Sequence, residues 1–252
     1  MKRRYNWKPD LPDHRDIKYG LTRMLAAPGT AAPLPSFVDM RSSCSPVEDQ
    51  GDMGSCSGHA IAGALELLEN LAKMAFRRIS RLFVYYNERD AEGSVGSDSG
   101  AMLRDGVNSL VKLGAAAESL WPYSDAALCV KPDAAAYADA AGHKITQYAS
   151  INNLNEMKHA LANGHPVVFG FSVYDSFESD AVAANGMVPM PDPSENMAGG
   201  HAVCAVGYKD SIQCVIVRNS WGPNWGDQGY FYLPYAYVSN QDLADDFWAI
   251  IK

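Results

Sequence analysis

The hydrophobic period of this chain changes once, and that change limits its fold more than any other feature. From Ser57 to Ala75, Ile61, Leu65, Leu68, Leu71 or Ala72, and Ala75 recur at three- and four-residue steps, which predicts a helix with one buried face. A second helical pattern runs from Met102 to Leu113 and ends at Gly114. A third, from Asn155 to Asn163, is stopped by Gly164 and Pro166. Beyond that point Val167 to Val173, Ala202 to Tyr208, Cys214 to Val217 and Tyr230 to Leu233 are short apolar or alternating runs separated by turn residues, the pattern of strands. Helices first and strands afterwards imply an α+β fold of two lobes. The expected division of residues 36–252 is a mainly helical lobe over roughly 44–140 and an antiparallel, barrel-like β lobe over roughly 141–252.

Residues 1–35 read differently. Five of the fourteen prolines fall there, and proline restricts both itself and the residue before it, so the segment is expected to be extended. Trp7, Leu11, Ile17 and Tyr19 are its potential anchors, and Ala26 to Ala32 reads as a slack link with little to bury.

The bulk numbers exclude several classes. A net charge of −8 argues against a nucleic-acid partner. No apolar stretch is long enough to span a bilayer, and Tyr5-Asn6-Trp7-Lys8 stands where a secretory signal would be apolar. The default expectation is a cytoplasmic monomer without a membrane partner. Five cysteines, none in CxxC spacing, suggest neither a disulfide scaffold nor a zinc site, and no metal or other cofactor is expected. Pairing His201 with Asn219 across a hairpin would set Cys204 opposite Ile216 and Cys214 opposite Val206, diagonal neighbours poorly placed for a disulfide bridge.

One cysteine has a chemical setting. Gln50-Gly51-Asp52-Met53-Gly54-Ser55-Cys56-Ser57 places a thiol after a bare turn, at the first turn of the predicted helix. Unpaired amide donors and the helix dipole favour thiolate there. An isolated cysteine can equally be a small buried residue. The second segment tips the balance. Gly199-Gly200-His201-Ala202-Val203 opens one strand and Arg218-Asn219-Ser220-Trp221-Gly222 closes the next, so a histidine that can take the thiol proton meets an amide that can orient its ring. His59 is the rival base, but it lacks such an orienting partner and is expected to pack or cap the lobe interface. His14, His143, His159 and His165 have no motif and are expected at the surface.

Together these motifs, with Trp121-Pro122-Tyr123 and Trp225-Gly226-Asp227-Gln228-Gly229-Tyr230, resemble the papain-like cysteine peptidases through most of residues 36–251. The resemblance implies a papain-like fold with a cleft between the lobes and hydrolysis of peptide or protein substrates. It makes Cys56 the nucleophile, His201 its base and then acid, Asn219 the residue that orients His201, and Gln50 an oxyanion donor. Trp221 would shield the His–Asn contact. Gly100, Ser99, Gly200 and Trp221 are the implied substrate-binding positions.

The chain departs from the pattern in places. Met53 and the turn Gly96-Ser97-Asp98-Ser99-Gly100 both lack the cysteines that pair in the family, and Ser57 replaces an aromatic. Residues 1–35 are too short and too proline-rich for the family's helical propeptide, so they are either a permanent strap or a short inhibitory arm over the cleft. Two other functions fit the same residues: an acyl transferase, whose third residue would generally be Asp, and a non-catalytic peptide-binding module, which would be expected to lose Cys56. An acidic rim of Asp175, Glu178, Asp180, Asp192 and Glu195 is expected near His201 and would favour basic substrates.

Overall fold

The computed structural model describes residues 4–20 and 33–252. The slack link at 26–32 lies outside the described residues. Helix α1 (Cys56–Leu71) is central and is buried along nearly its whole length. It packs against α2 (Arg81–Ala91) and α3 (Leu103–Lys112) on one side and the β lobe on the other. Ile61, Leu65 and Leu67 are fully buried, which stabilises the fold by roughly 1.5–3 kcal/mol each. Gly58 permits the close approach of α2, because a Cβ there would sit 2.8 Å from the Arg81 carbonyl. The helix stops at Leu71, four residues before the expected end. Lys73 turns left-handed (φ +56°), Met74 N–H returns to the Glu69 carbonyl, and residues 71–76 are exposed with nothing to cover them.

Helix α2 carries no periodic signature. It begins at Ser80, whose Oγ caps Phe83 N–H at 3.0 Å. Between α1 and α2 lies a buried, bidentate ion pair: Arg81 Nη2 donates to Glu66 Oε2 at 2.7 Å and Arg81 Nη1 to Oε1 at 2.5 Å. Glu66 also accepts from Ile79 N–H at 2.8 Å and from Ser45 Oγ. Four donors around one carboxylate offset the cost of burying it.

The β lobe is one seven-stranded sheet. Its order is β4 (Gln147–Ser150), β9 (Ala244–Ile251), β5 (Val167–Tyr174), β6 (Met197–Lys209), β7 (Cys214–Arg218) and β8 (Tyr230–Pro234), with β2 (Phe37–Asp39) also on β6. All its pairings are antiparallel. Helix α5 (Leu154–Ala162), which follows α4 (Ala134–Ala140), packs on β6 and β5.

The hairpin register differs from the expected one. Cys204 pairs with Arg218, not Ile216, and Cys214 with Lys209, not Val206. A bulge between Ala205 and Gly207 and a 3-10 turn over Asp210–Ile212, closed by Gln213 at φ +52°, shift the pairing. The two thiols therefore sit at separate points along β6 and β7, and all five cysteines are free.

The N-terminal segment lies on this body. β1 (Trp7–Lys8) pairs in parallel with β3 (Ala101–Met102) of the helical lobe, while Asn6 bridges to Gly200 of the β lobe.

Candidate active site

Cys56 is the first residue of α1, following Ser55 in a non-helical conformation. His201 is on β6, paired with Phe171 of β5, and Asn219 directly follows β7 with its N–H bonded to the Gly229 carbonyl. His201 therefore reaches Asn219 at the open end of the hairpin, not across a paired position. Its Nε2 lies 2.8 Å from Asn219 Oδ1, which also accepts from Ser220 N–H at 2.8 Å. This amide oxygen favours a proton on Nε2 and gives Nδ1 the role of base. Trp221 stacks on the His201 ring at 5.1 Å between centroids, with 26° between planes, and both are buried.

Gln50 is buried and held at both ends of its amide. Ser220 Oγ donates to Oε1 at 2.6 Å, and Nε2 donates to the Met53 carbonyl at 2.9 Å. The amide nitrogen therefore faces the Met53–Cys56 turn and keeps a second hydrogen for an oxyanion. His59 is not a base here. Burial first, then the nearby Arg81 charge, pushes its pKa down to about 3, while its Nδ1 lies 3.0 Å from the Ser55 carbonyl and its ring meets the edge of Tyr123.

Burial pushes the Cys56 thiol up to about 11, although the backbone of Ala202, Asn6 and Ser57 favours the anion. A helix N-terminus contributes at most ~2 kcal/mol, which does not outweigh full desolvation. The N-terminal segment contributes to that desolvation. The Asn6 carbonyl presses on Gly100, where a Cβ would lie 1.7 Å away, and its side chain covers Gly54. Trp7 fills the space that Gly170 and Gly200 leave open, and the Tyr5 ring meets the edges of His201 and Trp221 at 6.0 and 6.1 Å.

The described residues contain no cluster of three or more side chains suited to a metal ion. No helix among them is long and apolar enough to cross a membrane. A family profile described as "Papain family cysteine protease" matches residues 34–247. The chain belongs to the papain family of cysteine proteases.

An uncharacterised peptidase C1-like protein of Acanthamoeba polyphaga mimivirus is 44% identical over 80% of this chain and 68% of its own length. Cysteine proteinase 2 of Entamoeba histolytica is 32% identical over 79% of this chain, which spans 63% of that proteinase. The crystal structure of xylellain, a cysteine protease from Xylella fastidiosa, superposes with a TM-score of 0.90 at 41% identity, covering 100% of this chain and 98% of xylellain. The papain-like, two-lobed α+β fold follows from these matches.

Of the expected substrate-binding positions, Gly100 and Gly200 lie against Asn6 and Trp7 of the N-terminal segment, and Trp221 meets the Tyr5 ring. Gly100 adopts φ +69° and donates its N–H to Tyr85 Oη at 2.9 Å. The Ser99 hydroxyl bonds Ser94 Oγ and the Gly100 carbonyl, both at 3.0 Å. Of the expected acidic rim, Glu178 accepts the Tyr5 hydroxyl, Asp192 bonds within its own loop, and Glu195 accepts from Asp192 N–H at 2.9 Å and from Ser176 N–H at 2.8 Å. The carboxylates that meet the arm are largely others: Asp98, Glu92 and Asp246. Nothing in the spacing of the sequence singled these out. Two of the expected surface histidines are pinned instead: His143 lies 2.8 Å from Glu69 Oε1, and His165 lies 3.1 Å from the Tyr19 hydroxyl and has its pKa lowered by burial.

Asn219→Ala is expected to lower kcat roughly 10- to 100-fold with little change in KM, because one hydrogen bond to a charged ring contributes ~1.5–3 kcal/mol. Steady-state kinetics on a small peptide, with an unchanged melting temperature, checks it.

Proposed function

We propose that this chain hydrolyses peptide bonds through Cys56, His201 and Asn219, and that residues 5–8 hold it in an inhibited state. The observation that carries the reading is the buried His201–Asn219 hydrogen bond under Trp221, beside a cysteine that opens a helix. His201 Nδ1 takes the thiol proton as the sulfur attacks the carbonyl carbon. The oxyanion so formed lies within reach of the Gln50 amide and the Cys56 N–H. As the intermediate collapses, the C–N bond breaks, and the imidazolium gives its proton to the leaving amine. Water then attacks the thioester, His201 takes its proton, and the C–S bond breaks to release the acid and restore the thiol.

The inhibitory half of the proposal rests on Asn6 and Trp7, which occupy both walls of the cleft, and on the neutral state that burial favours for Cys56. Trp7→Ala is expected to raise turnover of a small peptide tenfold or more, because an aromatic side chain loses roughly 3 kcal/mol or more of contact when truncated to alanine. Unchanged kinetics with a lower melting temperature would show a structural strap instead. Five free cysteines suit a reducing compartment, so a cytoplasmic site of action is part of the same proposal.

Mass spectrometry of a peptide mixture incubated with the full chain tests the reaction. New internal termini that disappear after Cys56 alkylation support hydrolysis. Modified but uncut peptides would point to acyl transfer, and an unchanged mixture to binding alone.

A further inference from the structure

Asp98 is held unlike an ordinary surface carboxylate. Its side chain is only 9% exposed, Gly54 N–H donates to its Oδ2 at 2.9 Å and its Oδ1 at 3.1 Å, and the Tyr85 hydroxyl donates to Oδ1 at 2.7 Å. Arg89 fixes the preceding backbone through the Ser97 carbonyl at 2.9 Å. This scaffolding preserves one position on Oδ2 for a cation, and Arg4 Nη1 occupies it at 2.8 Å. Arg4 itself is 55% exposed, so the arm gains little from the pair. The carboxylate is built, and its present occupant is loose.

Its place relative to the thiol is fixed. Gly54 lies two residues before Cys56, and the Asn6 side chain crosses Gly54 and donates to the Asp98 carbonyl at 3.1 Å. A longer cationic side chain in that position would reach the carboxylate itself.

We propose that Asp98 selects lysine or arginine beside the bond that is cut, so that the preferred substrates are basic peptides. This rests on the peptidase reading and adds its substrate class. The Asp98 oxygens are already turned by Gly54 and Tyr85, so a basic side chain meets a preorganised acceptor, and a neutral one leaves it unpaired.

Two peptidyl acyloxymethyl ketones test this, identical except for arginine or its neutral isostere citrulline next to the reactive group. The readout is the second-order rate of Cys56 alkylation in the full chain, in wild type, Asp98→Asn, Trp7→Ala and the double variant. Both probes compete with the same arm, so arm closure divides out of their ratio. The arginine probe is expected to react roughly tenfold or more faster in wild type, with the ratio falling close to one in Asp98→Asn. A purely structural role would slow both probes equally and leave the ratio intact, which overturns the proposal. So would a wild-type ratio near one, or no labelling by either probe even in Trp7→Ala. Asp98→Ser supplies the same comparison if Asp98→Asn does not fold. Selective labelling without cleavage of any peptide would sink the hydrolase reading but not the role of Asp98; cleavage without arginine preference would do the reverse.

Discussion

Cys56→Ala is expected to lower peptide cleavage by roughly 10⁴-fold or more, and His201→Ala by a comparable factor. The two residues act as one unit, since a thiol without its base stays protonated and a base without the thiol has no nucleophile to activate. Combining the substitutions should therefore cost little beyond either alone. Circular dichroism and melting temperature should stay near wild type for Cys56→Ala, which removes one sulfur and leaves the rest of the buried start of α1 in place. Iodoacetamide provides an independent check, because its rate follows the thiolate fraction. With the arm docked, the buried Cys56 should react slowly, and Trp7→Ala should accelerate its labelling along with turnover. Wild-type turnover in Cys56→Ala would remove the proposed mechanism altogether.

The site was more legible than the fold around it. Cys56, His201, Asn219 and Gln50 lie in short local motifs whose residue types carry their own chemistry. What was not legible depends on long-range packing. Helix α2 hides because Leu82-Phe83-Val84-Tyr85-Tyr86 is a continuous apolar and aromatic run, and burial on several sides erases the one-face period that marks a helix. Strand β9 is interrupted by Asp245 and by Asp246 in a left-handed conformation, so it does not alternate. The β6–β7 register was unreadable because a bulge and a 3-10 turn each insert residues that the pairing arithmetic does not count. The full burial of Cys56 was not legible for the same kind of reason. Helix position favours thiolate locally, while burial, to which the distant Asn6 contributes, favours the neutral form.

Raising the pH from about 4 to about 8 is expected to loosen the arm. Two carboxyls meet where it docks. Asp10 accepts from Trp248 Nε1 at 2.8 Å and from Arg104 N–H at 3.2 Å, and Asp246 accepts from Asp10 N–H at 2.8 Å and from Trp7 Nε1 at 3.1 Å. Burial first, with the charge of Asp105 adding, pushes Asp10 up to about 6 against the donors and the Arg104 charge. Burial first, then repulsion from Asp10 and Asp245, pushes Asp246 up to about 7 against its own donors. A carboxyl whose pKa is raised by docking binds its proton more tightly in the docked state. Docking is therefore strongest below the ordinary carboxylate range, weakens as pH rises through about 4 to 7, and is weakest once both groups are ionised. A proton held tenfold more tightly in the docked state means docking about tenfold weaker once that proton is lost, and the mutual coupling of the pair keeps the combined loosening to roughly 10²–10³. Asp246→Asn keeps an acceptor for Trp7 and Asp10 but carries no charge, so its arm should stay closed at high pH. The ratio of wild-type to Asp246→Asn turnover isolates this effect, because both proteins share the titration of Cys56 and His201. That ratio should be lowest near pH 4 and climb steeply towards pH 8; a ratio that stays flat across this range would mean that the Asp10–Asp246 contact does not govern the arm.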